Sequence, residues 1–496
     1  MKIILFKKRL CLLAATILLY TIIFGTIVST AAEGQQIAEP MEAICPFVVN
    51  TKYEDLPPVV VDHVKKLILD TIGITIAGSS QEAIPQIVDL VKSWGGAKQS
   101  TILLYGGKVP APNAAFAIGP MTRALDMGDT HPQAAHVSEY IFPAMIPAVE
   151  MKGKVNGKEF ITAYALAQEL GCRLGNATQS MGKGSRLNGR HPHFGTLEAT
   201  AAVAKLLGLN LATTQNALGI AYHLTTAIDM QMYVEANLMI RGHHAFIAQD
   251  AINAVLLAQR GVTGAQKVFS GKYGMFAVHF PWEPKPNLLT IGLNKDWEML
   301  HNAIKLYASC RYTHGPIDAV ISFVKDKKLR LSDITEISIE VDPGGYVTVC
   351  EPRDKRMDPK TVMEAQFSLP YVVATALVKG KVYVDDYTQE ELKNKAVRTL
   401  MPLVKCSPND SLAPFETVTT ITLRDGVVHK KRLNIEEVKG AFLNQLSWDE
   451  VVHKFNMSLP MSAFKIPEAS IKQLIEKCKN LENVNNMDEI IKLLTP

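Results

Sequence analysis

Residues 126–138 bring two carboxylates, two imidazoles and two hydroxyls into one short stretch: Asp126, Asp129, Thr130, His131, His136 and Ser138. Gly128 and Pro132 argue against an unbroken helix there. The stretch reads as a polar loop that opens a buried helix near Ser138, with Glu139 behind it and an apolar run over 140–149. Polar side chains at the mouth of a rigid apolar helix are a good way to hold acid and base groups. A solvated turn with a helix cap is the competing interpretation.

Four further clusters carry candidate groups. Arg190 and His191 lie in a Gly/Pro-broken loop, 186–196, ahead of a helix, where an anion would meet free N–H groups. Arg241, His243 and His244 precede another alanine-rich helix; adjacent histidines on a helix point apart, which argues against a two-histidine metal site. Arg311, Tyr312 and His314 crowd a turn with Lys305 shortly before it, a pattern suited to binding carboxylate. Tyr371, in the stretch 366–371, is either a proton donor or a core tyrosine. Surface loops and turns remain the alternatives for the Arg190 and Arg311 clusters. The chain has no phosphate-binding glycine loop, no dinucleotide fingerprint and no serine nucleophile elbow. Many cations without a redox motif fit a polycarboxylate substrate and proton-transfer chemistry.

These clusters need a scaffold, and 496 residues at 47% hydrophobic and 20% charged content can bury a large core in more than one domain. The formal net charge of +4 is small, and the short basic runs 325–328 and 429–432 have no interleaved aromatics, so nucleic acid is not an expected partner. Lys2, Lys7, Lys8 and Arg9 precede 23 uncharged residues, 10–32, that end in Thr30-Ala31-Ala32. This is the layout of a secretory signal, and it is also long enough for a membrane anchor. Either way the body is expected outside the cytoplasm, periplasmic or extracellular, or membrane-anchored. The seven cysteines are scattered without CxxC spacing, which points to free buried thiols rather than a disulfide scaffold or zinc site.

Apolar periodicity predicts helices over 59–77, 84–94, 111–125, 158–174, 196–207, 211–226 and 245–259, an all-helical domain with short loops. A strand-like run covers 101–105. Prolines 281, 284 and 286 mark a change of composition. Beyond it, alternation over 334–341 and 417–423, then Asp425-Gly426 before 427–433, predicts strands and a hairpin, with helices over 315–325 and 370–378. Ser447 and Glu450 form a capping box for a further helix. The expected fold is mainly α: a leader or anchor at 1–32, a linker at 33–45, a large helical domain at 46–284, a smaller α+β domain at 285–435, and C-terminal helices at 436–496 that pack back on the helical domain.

Taken in order, these stretches resemble the MmgE/PrpD family, which includes 2-methylcitrate dehydratases, cis-aconitate decarboxylase and iminodisuccinate epimerase. The motifs that carry the likeness are the opening loop, Arg190-His191-Pro192, the runs 257–264 and 309–314, the run 366–372, and Lys439 to Trp448. The resemblance spans about 44–455. It implies a large helical domain, a smaller α+β domain that acts as a lid, and a homodimer with no metal and no organic cofactor. It places catalytic roles on Asp126, Thr130, His136, His191 and Tyr371, and a substrate role on Lys305; Arg190, Arg241, His243, Arg311 and His314 are the further expected substrate contacts. Ile240 stands where many members carry a lysine, and Gly128 where an acid is common. The expected activity is that of a lyase on a small di- or tricarboxylate, a dehydration like that of 2-methylcitrate dehydratase. Decarboxylation or epimerisation of a related acid, and an exported binding protein without activity, are the alternatives.

Overall fold

A computed structural model describes residues 39–181, 190–192, 194–225, 227–229, 232, 235, 237–280 and 282–496, with backbone alone at 190–192 and 227–229. The basic and apolar N-terminal segment lies outside the described residues. Among those described, no helix is long and apolar enough to cross a membrane.

The protein is mainly α-helical, with a smaller α+β part. Helices Pro58–Gly78, Ala111–Arg123, Ser138–Lys152, Gly157–Thr178, Gly195–Leu206, Leu211–Leu224 and Met239–Gln259 enclose one large apolar core. Small residues set how closely they pack. Ala114, Ala115 and Ala117 of Ala111–Arg123 are fully buried, and a Cβ at Gly119 would stand 2.6 Å from the His244 carbonyl oxygen. That close approach lets Met239–Gln259 lie flat against Ala111–Arg123.

The α+β part is a four-stranded sheet. Ile334–Val341 pairs in parallel with Val404–Pro408 and antiparallel with Thr417–Leu423, which pairs antiparallel with Val428–Leu433. Ile337, Ile339 and Val341 share one buried face, as the two-residue period requires. Helices His314–Lys327 and Leu369–Lys379 pack on the sheet. Gly426 takes the positive φ of the hairpin turn, +84°. Trp448–Ser458 begins with the Ser447–Glu450 capping box and runs along Pro58–Gly78.

Four local expectations differ from the structure. Helix Met41–Asn50 begins inside the stretch read as linker, because Met41, Ile44, Phe47 and Val48 form a buried helical face. The 101–105 run is a strand only at Ser100–Thr101 before it turns. Val404–Pro408 joins the sheet without an alternating burial signal, since it is short and largely exposed. Arg241, His243 and His244 lie within the first turns of Met239–Gln259, not ahead of it.

Candidate active site

The loop between Ala111–Arg123 and Ser138–Lys152 carries the opening cluster, and its two aspartates do different work. Asp129 is buried and caps Ser138–Lys152. Its carboxylate accepts from the Ser138 backbone N–H at 2.9 Å, the Ser138 hydroxyl at 2.6 Å and Asn302 Nδ2 at 2.5 Å. The cap is therefore a distant carboxylate, and Ser138 is the first helical residue rather than the cap. Asp126 faces the other way. It sits at φ +50°, a left-handed conformation that aspartate tolerates better than most residues.

Three groups converge on Asp126 Oδ1. Arg123 Nη1 donates to it at 2.5 Å, Lys305 Nζ stands 3.2 Å away, and His136 Nε2 stands 3.4 Å away. Lys305 also donates to the Asp126 backbone carbonyl. Burial works against the Asp126 charge, but Lys305 and Arg123 outweigh it and hold the carboxyl far below the usual range. The same burial lowers Lys305, with Asp126 opposing. Lys305 arrives by backbone register: Thr130 and Ala303 exchange both main-chain hydrogen bonds, at 2.8 and 2.9 Å.

His136 Nδ1 lies 2.9 Å from the Asp129 carbonyl oxygen, which can only accept, so Nδ1 carries a proton. Nε2 is then the nitrogen that gains or loses one. Burial, reinforced by Arg123, pushes His136 well below its ordinary pKa, with Asp126 opposing. The ring is neutral at pH 7, a base with a carboxylate beside it. Its side chain keeps 14% exposure, whereas those of Asp126, Arg123 and Lys305 keep 6%, 1% and 0%.

A second tier lies behind. Glu139, fully buried, places Oε1 3.5 Å from His136 Nδ1 and Oε2 3.6 Å from His244 Nδ1 and 3.7 Å from Arg123 Nε. The His243 ring meets the His244 ring edge-on at 4.2 Å, and His243 Nδ1 donates to the Met239 carbonyl. Arg241 Nη1 donates to the Glu82 carbonyl at 2.8 Å. His131 is structural in its contacts: Nδ1 accepts from the N–H groups of Gln133 and Ala134, and Nε2 donates to Glu298 at 3.2 Å.

The other expected residues form a neighbouring group. Arg311 Nη1 donates to His314 Nδ1 at 3.3 Å and Nη2 to the Ile435 carbonyl at 2.9 Å, while His314 Nε2 donates to the Ser309 carbonyl. Burial pulls Arg311 down to about 10. Tyr371 donates its hydroxyl to the Asp386 carbonyl at 2.6 Å, and its ring lies 6.0 Å from that of Tyr387. Gln366 ties this group to the opening loop by donating to the Leu125 and Ala308 carbonyls. Arg190–Pro192 pairs with Ala227–Asp229; the side chains of Arg190 and His191 lie outside the described residues.

Residues 42–287 match the MmgE/PrpD N-terminal domain, and residues 307–481 match the MmgE/PrpD C-terminal domain. The chain belongs to the MmgE/PrpD family. A cis-aconitate decarboxylase-like protein of Aspergillus oryzae is 28% identical over 77% of this chain and 81% of its own length. The cis-aconitate decarboxylase of Mus musculus is 24% identical over 91% of this chain and 93% of its own. The mitochondrial 2-methylcitrate dehydratase of Yarrowia lipolytica is 24% identical over 73% of this chain and 72% of its own. Within this MmgE/PrpD chain, sequence reasoning overlooked Arg123 as a site group and gave Glu139 only a helix-start role. An arginine at the end of a buried alanine-rich helix, three residues before an aspartate, was the available signal for the first.

Proposed function

We propose that this MmgE/PrpD protein is a lyase for a small tricarboxylate and that it decarboxylates an acid of the cis-aconitate type. The observation that carries this is the set around Asp126 Oδ1: a neutral imidazole nitrogen with partial exposure, beside a carboxylate that two buried cations already hold. Two cations against one carboxylate favour an incoming anion. In the proposed step the bond from the leaving carboxylate to carbon breaks, and CO₂ departs. The electron pair passes into a neighbouring substrate carboxylate facing Lys305 and Arg123. His136, neutral at rest, takes up a proton from solvent at Nε2 as the anionic substrate binds, and that proton then goes to carbon. Asp126, 3.4 Å from that nitrogen, compensates the imidazolium while it exists. Arg311, Arg241 and the Arg190–His191 loop are proposed to hold the remaining carboxylates, with His191, Thr130 and Tyr371 completing the acid–base set as the family resemblance implies.

Dehydration of a 2-methylcitrate-type acid is the second reading. The likeness to the Yarrowia dehydratase favours it, and the same carbanion-stabilising groups serve it. Purified protein offered cis-aconitate, 2-methylcitrate, citrate and malate separates the two. CO₂ release from cis-aconitate is expected. New alkene absorbance from 2-methylcitrate without CO₂ would select dehydration, and inertness toward all four acids would leave a binding protein.

A further inference from the structure

Glu139 is a carboxyl in an unusual position. It is fully buried, and neither oxygen has a hydrogen-bond partner among the described residues. Charged and titratable groups surround it: Arg123 from Ala111–Arg123, Asp126, Asp129 and His136 from the loop, Lys305 from the strand-like stretch beside Thr130, and His244 from Met239–Gln259. Gly128 makes room for it, because a Cβ there would run into the Glu139 carboxyl. A carboxylate without donors in a dry interior is costly, so the proton is retained. Burial raises Glu139 to about 8, with Arg123 opposing.

The charge count at Asp126 then depends on Glu139. With a neutral Glu139, Arg123 and Lys305 bring two positive charges against one on Asp126. With an ionised Glu139, these four groups balance; the Asp129 carboxylate is matched separately by the Ser138 and Asn302 donors. We infer that Glu139 is a positioning residue that sets the charge a ligand must bring. As a neutral carboxyl it leaves one positive charge for an incoming carboxylate, and as an anion it takes that place and competes. Arg123 is the hinge of this exchange, since its Nε lies 3.7 Å from Glu139 while its Nη1 bonds Asp126. Binding of an anion and loss of the Glu139 proton are thus mutually exclusive, and the ligand draws a proton onto the protein at alkaline pH.

This inference rests on the proposal that the Asp126 cluster receives a carboxylate, so its test uses binding rather than turnover. The probe is tricarballylate, a saturated tricarboxylate, titrated by calorimetry into the full chain from pH 6 to 9.5 in buffers of different ionisation enthalpy. Wild-type affinity should fall above pH 8 by up to about tenfold per pH unit, with proton uptake on binding. Glu139→Gln, permanently neutral, should bind like wild type at pH 6.5 and lose the Glu139 part of the alkaline fall. In the free protein His136 stays neutral through this window. Lys305, which an ionised Glu139 helps to keep charged, can only lose its proton earlier in the variant, so an alkaline fall that lessens in Glu139→Gln belongs to Glu139. No binding to wild type at pH 6 would remove the carboxylate site and the inference with it. Binding that has the same pH profile in both proteins, or that Glu139→Gln weakens at pH 6.5, would overturn the inference and leave the site standing. Should the variant not fold, infrared spectra of wild type decide: a protonated-carboxyl band lost at alkaline pH and restored by tricarballylate supports it, and a band indifferent to the ligand overturns it.

Discussion

Thr130 and Ala303 pair through two backbone hydrogen bonds, and two residues further on Lys305 meets Asp126. One main-chain register thus joins the loop that opens the site to the stretch that supplies its buried cation. Asp126 is fixed from three directions, and His136 is the member left with some exposure. Changes at the His136 ring should therefore affect chemistry more than folding.

His136→Ala and His191→Ala are each expected to lower turnover by roughly 10²–10⁴, the usual range for a lost acid or base. Circular dichroism and melting should be close to wild type for both. Normal turnover in both variants would remove the proposed site, and unfolding would make their roles structural.

Much of the scaffold was legible because helical periodicity and caps are local signals. Ser447 with Glu450, and Asp425 with Gly426, are instances where the sequence pattern and the structure agree residue by residue. The polar interior was harder to read. Asp126 and Asp129 are three residues apart and chemically alike, yet one caps a helix and the other holds Arg123 and Lys305. Arg123, three residues before Asp126, was one local hint, but the partners Asn302 and Lys305 are long-range, and no local pattern encodes those. Glu139 looks like any acid in a first helical turn, and its burial comes from packing against Met239–Gln259.

Helix Trp448–Ser458 should be tied to the site through one ion pair. Lys454 Nζ stands 2.6 Å from Asp70 Oδ1 and donates to the Met127 carbonyl at 2.8 Å, next to Asp126 in sequence. Lys454→Met leaves Asp70 buried and uncompensated, a loss of about 3–5 kcal/mol in urea unfolding at pH 7.5. Asp70→Asn combined with Lys454→Met should recover much of it. A double variant no more stable than the single one would mean that Lys454 acts through the Met127 carbonyl instead.

Stability should depend on pH in opposite senses for the two carboxyls of the site. Glu139 is raised from 4.5 to about 8, so its contribution is fully present below 4.5 and is lost as pH rises toward 8. Asp126 is lowered from 3.8, so its contribution is present above 3.8 and is lost in acid. The melting temperature of Glu139→Gln minus that of wild type should therefore rise from pH 5 to pH 8. A difference that is flat over this range would mean that Glu139 is not the titrating carboxyl.

The N-terminal residues carry a separate proposal, export of the body by the basic and apolar segment over 1–32. Fractionation with N-terminal sequencing should find the chain either cleaved after Ala32 or retained in the membrane fraction. Full-length protein with Met1 retained in the soluble cytoplasm would end this proposal.

Ile240 and Arg241 bear on which acid the site takes. Ile240 is buried at the start of Met239–Gln259, where many family members carry a lysine by the resemblance described above. Arg241 is one position along, a rotation of about 100° on a helix, so it cannot point where that lysine would. Its Nη1 instead donates to the Glu82 carbonyl, while its Nε has no hydrogen bond among the described residues. If Nε meets a substrate carboxylate, Arg241→Ala should raise KM by about 30-fold, equivalent to ~2 kcal/mol for a lost charge-assisted contact. Ile240→Lys should not raise activity on the protein's own substrate if that substrate presents no carboxylate at this position. Arg241→Ala that lowers the melting temperature but leaves KM unchanged would make Arg241 a brace for the loop at Glu82. The substrate would then be an acid with fewer carboxylates to hold than 2-methylcitrate.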